Sequence, residues 1–361
     1  MITRNESVSE ISIKPANELG AWDQFVSSHP RGTIFHTRGM IDAYQQTPKH
    51  RSFALGACNE LGEQIAALVA CEVSTISGLA QRFASRSIYY AEPIYEATGV
   101  GLEACRQLID AHDKAMRSRT LFAEVRPMFP VPTKDQDPLI DRGYELLGYL
   151  NYELDLEQSA EELFRRLNGK CRNSIRTSLK RGTTIRISQA PMADLDRFYS
   201  ILQFSHNNSQ IPLVDRALFE YVFQKFDTNR FRLSFAEYDG QQIAAALFFE
   251  FNGRVVYWFA GAYRVPGIAG MACIVWDAIE FYSKLGCQVL DFAGAGWKGE
   301  DYGPGRFKSQ FGATLTEYGR YRKVYAPWRM KCAEFLYNRM RRLVSSSSNS
   351  ASMELAHNAT E

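Results

Sequence analysis

Gln241-Gln242-Ile243-Ala244-Ala245-Ala246-Leu247 has a near copy earlier in the chain, Glu63-Gln64-Ile65-Ala66-Ala67-Leu68. Each copy follows a turn, Asp239-Gly240 in one case and Asn59 to Gly62 in the other, and each turn follows a strand-like run, Phe231 to Tyr238 and Phe53 to Ala57. Both read as β-hairpins. Downstream the match continues at one constant offset. Glu96-x-x-Gly99-x-Gly101 pairs with Arg264-x-x-Gly267-x-Ala269, and Ala104-Cys105 pairs with Ala272-Cys273. Helical stretches follow, Leu102 to Met116 and Gly270 to Leu285, then short apolar strands, Leu121 to Val125 and Val289 to Ala293. A fixed offset across several elements marks an internal duplication.

The duplication predicts an α/β protein of two tandem domains, each a mixed, mostly antiparallel sheet flanked by helices. In the second half, helices are expected over 161–167, 171–180, 195–204, 216–226 and 270–285. Strands are expected over 183–188, 231–237, 243–251, 255–260, 289–292 and 315–325. The first half abbreviates the plan, with a strand at 11–14 and helices at 18–28 and 38–46. The boundary is expected near 153–160, giving domains 1–155 and 156–335. Residues 336–361 read as a basic helix end followed by a Ser/Asn-rich, disordered tail.

With 361 residues, 45% hydrophobic and 23% charged, the chain has an ordinary globular composition and can fill two cores. The net charge of +2 does not mark a nucleic-acid binder, and no DNA partner is expected. Seven scattered cysteines without a C-x-x-C pair read as reduced thiols, with no metal site. The polar start lacks a signal-peptide core, and no apolar run reaches the length of a membrane span. A cytoplasmic location is therefore expected.

Arg264-x-x-Gly267-x-Ala269 lies between a strand and a helix, where small residues and a helix N-terminus suit an anion. It resembles the pyrophosphate loop of GNAT (N-acetyltransferase-like) acyl-CoA transferases; a plain turn cornered at Pro266-Gly267 is the other reading. Its counterpart in the first half carries Glu96, which would repel phosphate. Residues 291–312, DFAGAGWKGEDYGPGRFKSQFG, carry a second resemblance. Asp291-Phe292-x-Gly294, a Gly-rich loop and Phe307-Lys308-x-x-Phe311-Gly312 are similar to the Fem-type peptidyltransferases. Those twin-GNAT enzymes add amino acids from aminoacyl-tRNA to peptidoglycan precursors. Phe35-His36 with the helix from Arg38 resembles an early motif of that family, although Met40 replaces its Trp. Arg172-Asn173-Ser174-Ile175-Arg176 through Lys180 and Gly182 resembles its basic helix. The resemblance spans residues 20–328, and the long coiled-coil arm of some members has no counterpart.

These features name the candidate residues. Phe307 and Phe311, four apart, share a helical face that anchors in the core, which turns Lys308 toward the loop, where it can neutralise a phosphate or an oxyanion. Asp291 ends a strand, where α/β sites form, and can orient or deprotonate an amine or cap the next turn. Lys308 and Asp291 are the catalytic candidates. Arg264, Gly267, Ala269, Tyr302, Arg306, Phe307 and His36 are candidate donor or substrate contacts. Arg172, Arg176 and Lys180 form a positive stripe in a stretch free of Asp and Glu from Leu163 to Met192, with Leu163, Leu167, Ile175 and Leu179 beneath it. Trp258 and Tyr257 read as core or pocket wall.

The implied reaction is direct acyl or aminoacyl transfer to an amine or hydroxyl, with no covalent intermediate. No cofactor is expected to be permanently bound; acyl-CoA or aminoacyl-tRNA is the cosubstrate. The acceptor is a small molecule or a glycan or peptide precursor of peptidoglycan or exopolysaccharide. tRNA and a lipid-linked substrate at the membrane surface are candidate partners. The competing expectation is a non-catalytic module whose GNAT-like cleft binds an anionic glycan precursor.

Overall fold

A computed structural model describes residues 10–74, 76, 81, 83–209 and 211–332. The basic segment and tail expected at 336–361 lie outside them.

The first half contributes β1 (Ser12–Pro15), α1 (Trp22–Ser28), α2 (Arg38–Gln46), β2 (His50–Cys58), β3 (Gln64–Ser74), β4 (Ser85–Tyr89), β5 (Ile94–Tyr95), α3 (Gly99–Met116), β6 (Phe122–Val125), α4 (Pro138–Asp141) and β7 (Glu145–Leu147). After β8 (Tyr149–Asp155) come α5 (Ala160–Arg166), α6 (Gly169–Lys180), β9 (Thr184–Ile187), α7 (Pro191–Ser209), α8 (Arg216–Lys225), β10 (Phe231–Tyr238), β11 (Gln241–Phe251) and β12 (Arg254–Ala262). The chain ends through α9 (Gly270–Lys284), β13 (Val289–Trp297), α10 (Gly303–Lys308), β14 (Thr314–Thr316) and β15 (Arg320–Val324). Local signals set many of these limits. Thr37, Thr98, Ser159, Asn168 and Asp215 cap the helices that follow them by accepting backbone N–H groups. At Asp239-Gly240 and Asn252-Gly253 both residues have positive φ, the turn geometry that matches the twist of a two-residue hairpin.

Two mixed, mostly antiparallel sheets result, and their strand orders mirror one another. The first runs β1-β2-β3-β4-β6-β15-β7, with β5 also on β3; the second runs β9-β10-β11-β12-β13-β8-β14. Within each, a single parallel pair sits at the same place, β4 with β6 and β12 with β13.

The sequence boundary at 155 needs correction. β8 precedes it yet pairs with β13 and β14 of the second sheet, and β15, late in the chain, pairs with β6 and β7 of the first. The expected single strand over 315–325 is two strands in different sheets, β14 and β15. Each sheet thus takes its sixth strand from the other half. The chain crosses at Gly148 and returns at Gly319, which has φ +74°. These crossings lie against each other, since Gly319 N–H donates to Tyr149 O at 3.1 Å.

The halves also share a core. Trp22, Met40 and Tyr44 of the first belong to one buried apolar cluster with Phe219, Leu247 and Phe249 of the second. Truncating a fully buried ring such as Phe249 would cost about 3–5 kcal/mol. A buried polar network fastens β15 to the first half. Asp113 accepts from Tyr144 Oη (2.8 Å), Tyr325 Oη (2.6 Å) and Lys323 Nζ (2.6 Å). Burial pushes the Asp113 pKa up, but these bonds and His112 outweigh it and hold it at about 2.

Candidate functional site

β12 and β13 pair only between Arg254–Val256 and Val289–Asp291. Beyond that they diverge, because β13 breaks register after Asp291 and again after Gly294. Ala293 sits at φ +58°, a conformation a β-carbon disfavours, and the break is braced: its N–H donates to Asp291 Oδ1 at 2.7 Å. A cavity of about 770 Å³ fills the splay. Val256 to Ala262 line one side and Asp291, Ala293 and Gly294 the other; Phe35, Tyr90 and Arg126 come from the first half. The exchanged segments supply Tyr149, Asn151, Tyr318 and Arg320.

Lys308 ends α10, which packs against β13. Phe307 and Phe311 lie 5.1 Å apart, and Phe311 stacks on Phe292 at 5.6 Å. With that face in the core, Lys308 is 8% exposed and its Nζ donates to Gly294 O at 2.6 Å. Burial lowers its pKa to about 8, against a smaller upward pull from Asp291. Gly294 is required here: a β-carbon would lie 2.5 Å from Tyr149 Oη.

Asp291 is 2% exposed and doubly held. Asn151 Nδ2 donates to Oδ1 at 2.9 Å, and Arg254 Nη1 lies 3.3 Å from Oδ2. Arg254 also pairs with Glu153 at 2.5 Å, and Glu153 accepts from Tyr318 Oη at 2.6 Å. Burial raises the Asp291 pKa more than Arg254 lowers it. With Asn151 Nδ2 and Ala293 N–H both on Oδ1, Asp291 braces the bulge, and its charge pulls the Lys308 pKa upward.

Arg126 and Arg320 add two cations to the lining. Glu124 meets Arg126 (3.0 Å), Arg320 (3.4 Å) and Arg322 (2.9 Å), three guanidiniums around one carboxylate. Arg320 stacks over Tyr149 at 3.5 Å, and burial, followed by repulsion from Arg126, lowers its pKa to about 10. Sequence reading missed this cluster. Arg126 is a lone cation after β6, while Arg320 and Arg322 share β15, and only the pairing of β15 with β6 brings the two segments together.

The structure separates the other candidates. Tyr302 and Phe307 line the cavity beside Lys308 and Asp291, as do Tyr257 and Trp258. Arg306 lies outside it, paired with Asp301 at 2.5 Å and 69% exposed. His36 is not a contact but a buried brace, 1% exposed: Nε2 donates to Glu92 O at 2.9 Å and Nδ1 accepts from Thr33 N–H at 3.2 Å. Burial lowers its pKa to about 4, so it is neutral.

Arg264, Gly267 and Ala269 also lie outside the cavity lining, and their loop is occupied by the chain itself. Ala269 N–H donates to Ser178 Oγ at 2.8 Å, Ile268 N–H to Val265 O at 3.1 Å, and Arg181 Nη1 to Gly267 O at 3.0 Å. Pro266 has no N–H to offer. Ser178 and Arg181 come from the end of α6, whose buried face is Cys171, Ile175 and Ser178. Leu179, expected beneath the stripe, is instead 46% exposed, because the helix turns Ser178 toward the loop. Arg176 and Lys180 are exposed on the outer surface; Arg172 is half-buried and donates to Arg165 O.

Among the described residues no cluster of His, Cys, Asp or Glu is arranged to hold a metal, and no helix is long and apolar enough to cross a membrane. The cysteines at 58, 71, 105, 171, 273 and 287 are buried and unpaired.

A sheet splayed at its one parallel pair, repeated in two halves, defines a tandem GNAT-fold protein. The sequence agrees, since residues 169–309 match the family model for the acetyltransferase (GNAT) domain. In fold the chain is Fem-like: FemX superposes with a TM-score of 0.66 over 87% of this chain and 97% of that one, at 13% identity. The C-terminal domain of a putative lysylphosphatidylglycerol synthetase from Agrobacterium fabrum follows at 0.55, covering 90% and 96% at 14% identity. A tandem GNAT protein from the clavulanic acid biosynthesis pathway gives 0.52, covering 88% and 99% at 11% identity. At such identities the likeness is one of fold. No curated protein matches the chain in sequence.

Proposed function

We propose that this protein is an acyltransferase that moves an aminoacyl group onto an amine or hydroxyl of an anionic cell-envelope precursor. The cavity between the halves would be its active site. The observation that carries this reading is Lys308: a buried cation on the floor of a splayed cleft, 2.6 Å from Gly294 O. With one N–H spent on that carbonyl, the ammonium keeps two donors for charge that develops on an acyl oxygen. Preorganised donors in a dry site stabilise such an oxyanion without reorganising at the moment of reaction. The fold similarity to FemX, and the peptidoglycan chemistry its Fem-type relatives perform, support the envelope precursor as acceptor. Arg126 and Arg320, which line the cavity, favour an acceptor bearing phosphate or carboxylate.

The donor reading rests on the Arg264 loop. Ala269 N–H is taken by Ser178 Oγ and Ile268 N–H by Val265 O, which leaves fewer of the loop's amides for a pyrophosphate. That favours aminoacyl-tRNA over acyl-CoA, with the exposed cations of α6 meeting the polyanion. A non-catalytic module that binds the same anionic precursor is the competing reading, and the transfer assay separates the two.

The test is a transfer assay with nucleotide-linked and lipid-linked peptidoglycan precursors as acceptors and labelled aminoacyl-tRNA or acetyl-CoA as donor. Transfer from tRNA that is lost in Lys308→Met supports the proposal. Transfer from acetyl-CoA that is lost in Arg264→Glu would move the donor site to the loop. Precursor binding without transfer from either donor would leave a binding module.

A further inference from the structure

The duplication gives the first half a splay of its own. β4 and β6 pair only over Ser87–Tyr89 and Ala123–Val125, as β12 and β13 do in the second half. Beyond this pair, residues 92–97 on one side and Pro127, Val131 and Pro132 on the other line a second cavity of about 450 Å³. It lies farther along both segments than Tyr90 and Arg126, which line the Lys308 cavity. Nothing in the proposed transfer uses it.

Its chemistry differs from that of the Lys308 cavity. The walls are apolar and proline-rich, with Phe25, Ile94, Tyr95 and Leu139 among them. At the site matching the Arg264 loop, Gly101 N–H is taken by Thr98 Oγ1 at 3.0 Å and Glu96 brings a negative charge, so phosphate is disfavoured there. Three carboxylates line the cavity, those of Glu92, Glu96 and Asp137, against one guanidinium, that of Arg31. His29 adds no charge. Its Nδ1 accepts from Arg31 N–H at 3.1 Å, its Nε2 donates to Tyr95 O at 2.9 Å, and burial lowers its pKa.

Two of the carboxylates are satisfied. Glu92 takes Arg31 Nη2 at 2.5 Å and Met128 N–H at 2.8 Å. Asp137 caps α4 through Leu139 N–H at 2.9 Å and accepts from Tyr321 Oη. The Glu96 carboxylate has no hydrogen bond or ion pair among the described residues and stands exposed at the cavity's edge. The site therefore combines an apolar chamber, an excess of negative charge, nearby aromatic rings and one carboxylate with open valences. A cation-bearing apolar molecule satisfies all four.

We propose that this second cavity binds a small apolar molecule ending in an ammonium group, with Glu96 as its counter-ion. The inference is independent of the transfer reaction, since no residue of the Lys308 site except Pro127 lines this cavity.

Calorimetry on the full chain with 2-phenylethylamine, 2-phenylethanol and phenylacetate tests it, because the three probes share a ring and differ in charge. The amine is expected to bind at least tenfold tighter than the alcohol, with the acid weakest. Glu96→Gln, an exposed change that leaves the fold alone, should reduce the amine to the level of the alcohol. Val131→Trp should abolish binding of all three by filling the chamber, and Lys308→Met should leave binding intact. Equal affinity for the three probes, no binding of the amine, or an amine preference that survives Glu96→Gln would overturn the proposal. Loss of transfer in Lys308→Met bears only on the active-site reading.

Discussion

Replacing Lys308 with methionine separates function from stability in a single variant. Methionine keeps the length of the side chain and removes its charge. The lysine is 8% exposed and its pKa has fallen from 10.5 to about 8, so at pH 7 it is charged in both the folded and unfolded chain. Each tenfold change in acidity is worth about 1.4 kcal/mol, so holding the charge in this site costs the fold about 3 kcal/mol. That cost is fully present below pH 8 and fades as pH rises toward the ordinary lysine value. Removing the ammonium abolishes it but leaves Gly294 O without its donor, a loss of about 1 kcal/mol. Lys308→Met should therefore be more stable by about 2 kcal/mol at pH 7 in urea unfolding. Its kcat should fall by about 10²–10³ with KM nearly unchanged, since an oxyanion contact acts only in the transition state. A variant with undiminished kcat, or one destabilised by 2 kcal/mol or more, would refute the reasoning.

Three further outcomes are expected. In the wild type, kcat should decline as pH rises through about 8, because the deprotonated lysine loses its charge; a rise through the same range would instead make Lys308 a proton acceptor. Arg320→Met should raise KM for an anionic acceptor about tenfold and weaken its salt dependence, with kcat within about threefold, as steady-state kinetics at two ionic strengths would show. Asp113→Asn should cost about 3 kcal/mol in urea unfolding by leaving Lys323 without its carboxylate. With its pKa depressed to about 2, Asp113 contributes stability above its ordinary 3.8 that is lost as pH falls toward 2, so the acid-unfolding midpoint of the variant should shift upward.

Local signals in the sequence account for the architecture. Period-two apolar runs, the Asp-Gly and Asn-Gly turns, helix caps and a duplicated hairpin–helix–strand order are local signals, and they sufficed for two mixed sheets flanked by helices. The run from Asp291 to Gly312 was legible for the same reason: Gly296 and Gly305 answer close approaches of Tyr302 and Ala295 within the segment, and Phe307 and Phe311 set the direction of Lys308 by helical spacing. What the tertiary structure alone decided is where the chain changes sheets. β7 and β8 are separated only by Gly148, and β14 and β15 by a short turn ending at Gly319, so no local pattern announces that neighbouring strands belong to different sheets. That exchange brings Arg320, Tyr149 and Asn151 to the cleft, because pairing partners are chosen by long-range burial rather than by residues nearby in sequence. The same limit explains the Arg264 loop and His36. Both look like sites in sequence, yet Ser178 and Arg181 fill one, and Glu92 O and Thr33 N–H occupy the ring nitrogens of the other. A residue's type shows which bonds it can make; the packed fold determines which remain free for a ligand.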